Sequence, residues 1–302
     1  MHKKLPYGKS NLKPTVSILM PSYNHALFVE AAVRSIMEQK EADFELFVID
    51  DGSKDESPEI LQKLSDEFGF YFLARENKGL IPTLCELASI AKGKYICGFA
   101  SDDIMPPGRL KIQVEYMEVH PEAPACFGQV TRILPNGELE GKPDHRFFKG
   151  VPSVSFEELF LTKKEIHGCT ELIRKTAFDA VGGYNQKFKI EDYPLWLALS
   201  CKFGNLPVLP DIFCYYRILP GDKNMHKNLT FIFTQALEVA KEYKEHKLYK
   251  SAVNNWKACW FSFLAYSNKK EAFLKLPKLY SFTWRFIYRL PKLFIPKFFL
   301  KY

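Results

Sequence analysis

Four absences in this chain of 302 residues each remove a class of function. No G-x-G-x-x-G follows the first apolar run and no G-x-x-x-x-G-K-[ST] occurs anywhere, so neither a dinucleotide fingerprint nor a P-loop organises the fold. The seven cysteines (Cys85, Cys97, Cys126, Cys169, Cys201, Cys214 and Cys259) are odd in number and widely spaced. They read as reduced core residues of a cytosolic protein, which excludes a disulfide framework or a metal knuckle. No uninterrupted apolar stretch approaches bilayer length, and Met1 to Pro14 is polar and basic without a signal-peptide core, so secretion and membrane spanning are disfavoured. Finally, no acid occurs from Ala272 to Tyr302.

What remains is a globular composition, 47% hydrophobic and 25% charged, with a formal charge of +7 that matters only where it is clustered. Val16-Ser17-Ile18-Leu19-Met20 predicts a strand stopped by Pro21. Leu27, Ala31, Val33, Ile36 and Met37 then repeat at helical spacing. Phe44 to Ile49 predicts a second strand ending in Asp50-Asp51-Gly52-Ser53, and Ser53 with Glu56 fits a capping box opening the next helix. Tyr71-Phe72-Leu73, a helix through Leu84, Leu87 and Ala91, and the run Lys94 to Ala100 continue the alternation. Such βαβ units argue for a largely parallel sheet, which places the loops at Pro21-Ser22-Tyr23-Asn24, Asp50-Asp51-Gly52-Ser53 and Ser101-Asp102-Asp103 on one edge. Further along, a helix is expected from Pro106 to His120, a strand from Phe127 to Leu134 with a turn at Asn136-Gly137, and a polar loop from Glu140 to Pro152. Cys169 to Ile173 predicts another strand, and Lys175 to Val181 a helix ended by Gly182-Gly183.

Carboxylates gathered on one rim repel each other, and a divalent cation is the chemistry that reconciles them. Mg²⁺ or Mn²⁺ binds through one or two carboxylates plus substrate phosphates, so the rim would accept a nucleoside diphosphate. A further carboxylate would be left to act as a general base toward an acceptor hydroxyl. Glu191-Asp192 precedes Pro194 and an apolar run, a helix N-terminus where negative charge is favoured on its own account.

Five blocks in order carry a resemblance: Val16 to Asn24, Phe47 to Ser53, Glu76-Asn77-Lys78-Gly79, Ser101-Asp102-Asp103 and Glu191-Asp192-Tyr193-Pro194-Leu195-Trp196. On these the sequence resembles the family 2 glycosyltransferases. The resemblance implies an α/β GT-A fold, a Rossmann-like, mostly parallel sheet flanked by helices, with a C-terminal helical extension. It divides the chain into an N-terminal extension (1–14), a GT-A domain (15–226, nucleotide-binding half 15–105 and acceptor half 106–226) and a basic helical extension (227–302). It implies a metal-dependent, inverting transferase moving sugar from a nucleotide-sugar, expected to be a UDP-sugar, to a hydroxyl of a glycan or lipid-linked glycan. A catalytically inactive nucleotide-sugar-binding scaffold is the alternative. Pro21, Ser22, Tyr23 and Asn24 match the loop lining the base, Asp51 the acid at the base edge, and Asn77 and Gly79 the turn beneath the nucleoside. Asp102 and Asp103 match the metal motif, with Asp103 the direct ligand and Asp102, which also counts among the metal residues, nearer the ribose; Ser101 precedes the pair and counts with the nucleotide-binding residues. Asp192 matches the catalytic base and Glu191 its neighbour near the acceptor. Arg217 and His226 match a late loop closing over the diphosphate, His226 as a further metal ligand.

Beyond Lys227 the composition shifts. Leu229 to Lys247 and Ala252 to Tyr266 predict helices, and after Ala272 seven Lys and Arg alternate with aromatic and aliphatic residues. On a helical projection Lys278, Arg285, Arg289 and Lys292 lie largely opposite Leu279, Phe286, Ile287 and Leu290, and Pro277, Pro291 and Pro296 divide the segment. A basic amphipathic segment of this kind predicts contact of residues 272–302 with an anionic membrane surface. The expected location is therefore the cytoplasm, peripheral at the inner face of the membrane. The alternative is packing against this chain or a second copy in a homo-oligomer. Nucleic acid is excluded as a partner by the aliphatic bulk and the lack of a recognition motif.

Overall fold

The computed structural model describes residues 14–140, 153–219, 229–281 and 283–295. Its elements run β1 (Val16–Ser22), α1 (Val29–Met37), β2 (Phe44–Asp50), α2 (Ser57–Phe68), β3 (Tyr71–Ala74), α3 (Leu80–Ile90), β4 (Tyr95–Gly98) and α4 (Arg109–Val119). Then follow β5 (Ala125–Ile133), β6 (Ser153–Val154), α5 (Phe156–Phe160), β7 (Leu172–Arg174), α6 (Lys175–Ala180), α7 (Asp192–Phe203) and β8 (Leu206–Arg217). The last four helices are α8 (Leu229–Ala240), α9 (Tyr249–Ser267), α10 (Lys269–Leu279) and α11 (Trp284–Arg289). Two compact units result. One holds residues 1–155 and 166–219, the other 156–165 and 220–302.

The first unit is an eight-stranded sheet in the order β3-β2-β1-β4-β7-β5-β8-β6. The first four strands are mutually parallel, β7 is antiparallel to both β4 and β5, and β8 runs parallel to β5. The central strands are buried on both faces, which is why they read as nearly continuous apolar runs. Val16, Ile18, Met20, Val48 and Cys97 pack in one core with Val33 and Ile36 of α1 and Leu61 and Leu64 of α2. Each such buried aliphatic contributes about 1.5–3 kcal/mol relative to exposure.

Local differences from the sequence reading have physical reasons. Pro21 lies inside β1 rather than ending it. The Leu19 carbonyl accepts from Phe99, so position 21, two residues on, faces the same side, where β4 has already ended at Gly98. A missing N–H costs nothing there. Ser53 does not cap α2, which starts at Ser57 after Glu56. Its hydroxyl instead donates to Asp50 Oδ2 (2.6 Å) and accepts from the Asn24 N–H (2.8 Å), so it joins two loops. Residues 168–170 form a 3-10 turn and the strand begins at Leu172. The strand β8 went unread because Pro207 and Pro210 break its alternation.

In the second unit, Phe233 of α8, Trp260, Phe261 and Leu264 of α9, Ala272 and Leu279 of α10 and Phe286 of α11 form a core of their own. Phe156 and Phe160 of α5 pack against Tyr243 and His246. Pro277 sits inside α10 rather than dividing it. The N–H it lacks would have bonded the carbonyl of Phe273, whose side chain is exposed. Ile287 also departs from the projected apolar face: Leu279 and Phe286 are buried, but Ile287 is exposed. Among the described residues no helix is long and apolar enough to cross a membrane.

Candidate active site

Because β1, β2 and β4 run parallel, their carboxyl ends share one edge, and hydrogen bonds tie the loops there into a continuous rim. The Asn24 N–H reaches Ser53, and the Asn24 Oδ1 accepts from the Lys54 N–H at 2.8 Å. Asn24 has φ 55°, a left-handed backbone that Asn tolerates better than most residues. His25 Nδ1 pairs with Ser101 Oγ at 2.8 Å, and its Nε2 lies 3.9 Å from Asp102 Oδ2. The Asp51 carboxylate accepts from Arg75, from the Lys78 N–H (2.9 Å) and from the Gly79 N–H (2.8 Å), while Asn77 Nδ2 donates to the Asp51 carbonyl (2.7 Å). Gly52 makes this possible. At φ +80° any Cβ would be strained, and it would lie 2.7 Å from the Asn77 nitrogen. Ser22 Oγ is buried without a hydrogen-bond partner among the described residues, whereas Tyr23 is 47% exposed.

The adjacent acids differ. Asp103 is 1% exposed; its Oδ1 accepts from the Arg217 N–H (2.9 Å) and its Oδ2 from the Cys214 thiol (3.4 Å). Burial, then the neighbouring Asp102, pushes its carboxyl up to about 8. Its oxygen and the sulfurs of Cys169 and Cys214 lie within 4.8 Å of one another. The Asp102 side chain keeps 16% of its surface exposed. Arg217, expected in a loop, is a buried residue at the end of β8. Its guanidinium donates to the carbonyls of Asp102 (2.7 Å), Leu134 (3.1 Å) and Pro135 (2.8 Å) and stacks over Phe28. His226 and the body of the loop expected from Glu140 to Pro152 lie outside the described residues.

A second acidic group forms around the start of α7, where Glu191 occupies the N-cap position without a side-chain capping bond and Asp192 opens the helix. Glu171, just before β7 and 4% exposed, accepts from Trp196 Nε1 at 3.2 Å. Trp196 lies one turn beyond Asp192, and a Cβ on Gly168 would sit 3.4 Å from its ring and 3.5 Å from Asp192 Cβ. The other Glu171 oxygen faces Gly98 at the end of β4, where a Cβ would approach it to 3.0 Å and the Tyr184 hydroxyl to 3.4 Å. Desolvation raises both Glu171 and Glu191 to about 8, reinforced for each by Asp192. Burial and then Glu171 and Glu191 push the Tyr184 phenol well up.

Sequence reasoning missed His25, Glu171 and Arg109. Arg109 is fully buried and bonds the carbonyls of Cys169 (2.7 Å), Phe213 (2.9 Å) and Glu171 (3.1 Å), along with Gln113 Oε1 (2.9 Å). It thus fixes the Cys169–Glu171 segment against β8. His25 had a weak signal, four residues after Pro21 in a loop already singled out. Glu171 had none, since it lies in an apolar run read as plain strand.

Residues 17–182, more than half of the chain, match the glycosyl transferase family 2 profile, and the chain belongs to that family. An uncharacterized glycosyltransferase of Methanocaldococcus jannaschii is 24% identical over 260 residues, covering 84% of this chain and 88% of that protein. Chondroitin synthase of Pasteurella multocida is 29% identical over 232 residues, covering 75% of this chain but only 23% of its own length. S. aureus TarS (residues 1–349), solved with UDP-GlcNAc, superposes with a TM-score of 0.67 at 18% identity, covering 92% of this chain and 80% of that one. A mannosyltransferase from Pyrobaculum calidifontis, solved with GDP-Man and Mn²⁺, gives 0.56 at 16% identity, covering 96% and 88%. At these identities the structural likenesses concern the fold, which is the GT-A sheet with flanking helices.

Proposed function

We propose that this protein is a cation-dependent, inverting glycosyltransferase. It moves a sugar from a UDP-sugar to a hydroxyl of a glycan or lipid-linked glycan during polysaccharide or glycoconjugate assembly at the inner face of the membrane. The observation that carries the proposal is the rim itself. Loops from three parallel strands are bonded together beside Asp102, at the sheet edge where α/β folds bind ligands. Support for a UDP-sugar comes from the complex of TarS, and for a cation from the Mn²⁺ of the archaeal mannosyltransferase. The synthase of Pasteurella supports a polysaccharide product.

Pro21, Ser22 and Tyr23 line the base pocket, with the orphaned Ser22 hydroxyl a group that a ligand would satisfy. Asp51, Asn77 and Gly79 form the nucleoside turn. The geometry favours exchanging the duties of the acidic pair. Both Asp103 oxygens are engaged inward beside two sulfurs, poor surroundings for an oxygen-seeking cation. The Asp102 side chain is only partly buried, and its carboxylate suits a hard ion. Asp102 is therefore the assigned ligand, its backbone carbonyl held by Arg217, whose own N–H is held by Asp103. When bound, the cation supplies positive charge to the departing diphosphate. Asp192 takes the proton of the acceptor hydroxyl as that oxygen attacks the anomeric carbon and the bond to the diphosphate breaks on the opposite face. Glu191, raised to about 8 by burial and by Asp192, contacts the acceptor in this reading.

A donor panel read by nucleotide release, with Mn²⁺, with Mg²⁺ and with chelator, tests the reading. Release of UDP that needs both cation and acceptor is the expected result. Tight donor binding with no release from any donor would leave a binding scaffold instead.

A further inference from the structure

We propose that the outward face of α10, α11 and the turn after them is a docking surface for an anionic lipid bilayer, with Trp284, Tyr288 and Phe294 as its inserting side chains. The proposal gives a physical basis to the membrane location in the reading above and rests on that reading only for its purpose, since lipid binding requires no transfer chemistry.

Of the thirteen large apolar residues left exposed among the described residues, five are scattered through the first unit and eight lie between Phe273 and Ile295. The latter are not unfinished core. The same segment already sends Ala272, Leu276, Leu279, Phe286, Leu290 and Leu293 inward against α9 and α8. A segment apolar on its inner face and apolar again on its outer one carries more hydrophobic surface than folding uses, the mark of an interaction patch. Trp284 (85% exposed) and Tyr288 (74%) are four residues apart on α11 and share a face, and Phe294 is 79% exposed. Trp and Tyr favour the headgroup boundary, where an apolar ring meets a polar edge.

Charge decides the occupant. After Glu271, which pairs with Lys275 at 2.9 Å, the sequence holds seven Lys and Arg and no acid. Long basic side chains between aromatics can lay their stems along the apolar surface and hold their charges at headgroup level. A second copy is disfavoured, because a two-fold contact would set this predominantly basic surface against itself. An anionic bilayer supplies both the apolar depth and the opposite charge.

The test uses the full chain with large unilamellar vesicles, one set of phosphatidylcholine and one containing phosphatidylglycerol. Co-sedimentation with the anionic set, weakened by salt and slight on the neutral set, is expected. The triple variant Trp284→Ser, Tyr288→Ser, Phe294→Ser should keep its thermal midpoint and bind at least about tenfold more weakly. Brominated lipid should quench the wild type, and Trp284→Phe should bind but lose most of that quenching. The proposal is overturned by wild-type protein remaining in the supernatant, or by the triple variant binding undiminished. It is equally overturned if the substitutions abolish a dimer seen without vesicles, or if RNA binds through the face and vesicles do not. Donor-dependent nucleotide release, measured on the same variants, reports separately on the transferase reading.

Discussion

Asp103 and Glu171 are both carboxyls buried near the ends of strands, and both are pushed up to about 8, but their surroundings differ. Asp103 meets donors on both oxygens, the Arg217 N–H and the Cys214 thiol, and its charged neighbours are Arg217 and Asp102, the latter keeping contact with solvent. Glu171 meets the Trp196 indole on one oxygen, and its charged neighbours include Asp192 and the buried Arg109. On the proposed assignment, the first region uses a buried acid to present its neighbour. The second crowds three acids where a proton would be exchanged. The lesson is that burial alone does not mark the reacting carboxylate. In each pair the acid assigned to chemistry is the less enclosed partner, supported by one that is spent inward.

The largest effect that could break this contrast is at Asp192. Asn there keeps the shape and removes the base, so transfer should fall by about 10²–10⁴ with donor affinity unchanged, read by acceptor-dependent nucleotide release beside a donor titration. Near-wild-type turnover would pass the proton to Glu191 or Glu171. Next comes the acidic pair at the rim. Asp102→Ala should lose cation-dependent donor binding by about a hundredfold or more. Asp103→Asn should retain the dependence with a loss nearer about tenfold, the scale of a supporting group. Calorimetric titration of Mn²⁺ with donor separates them, and the reverse order would return the ligand to Asp103.

Arg109 links the two regions, since it holds the segment from Cys169 to Glu171 and the carbonyl of Phe213 on β8. Arg109→Met would leave three carbonyls without their donor. At roughly 1–3 kcal/mol for each buried orphan, unfolding free energy should drop by about 3 kcal/mol or more. A denaturant titration showing less than about 1 kcal/mol would mean that the segment holds itself.

How much of this the sequence could reveal follows from how local each signal is. The parallel half was legible because β1, β2 and β4 are short apolar runs ending in polar turns, a pattern with a range of a few residues. The roles of Asp102 and Asp103 were not, because what distinguishes them is Arg217 and Cys214, more than a hundred residues away. Arg217 itself lay in a strand whose two prolines hid it, so its burial against the Asp102 carbonyl had no sequence trace. Glu171 was silent for a related reason. An acid in an apolar run looks like a solvent-facing strand residue until Trp196 and Gly98 are seen to enclose it.

The smallest effect concerns the protons held by that enclosure. Asp103, Glu171 and Glu191 are each raised from the ordinary carboxylate range to about 8. Between pH about 4.3 and 8 the folded chain therefore holds protons that the unfolded chain has released, so stability falls as pH rises through that window and levels off above it. Glu171→Gln keeps an oxygen for the Trp196 indole and removes one of the three titrations. Its thermal midpoint should match the wild type near pH 4.5 and exceed it at pH 8, with the gap opening as pH rises between them. Parallel curves from pH 5 to 8 would show that Glu171 is already ionised in the fold, compensated by Arg109. The second region would then be a charge pair rather than a crowd of acids.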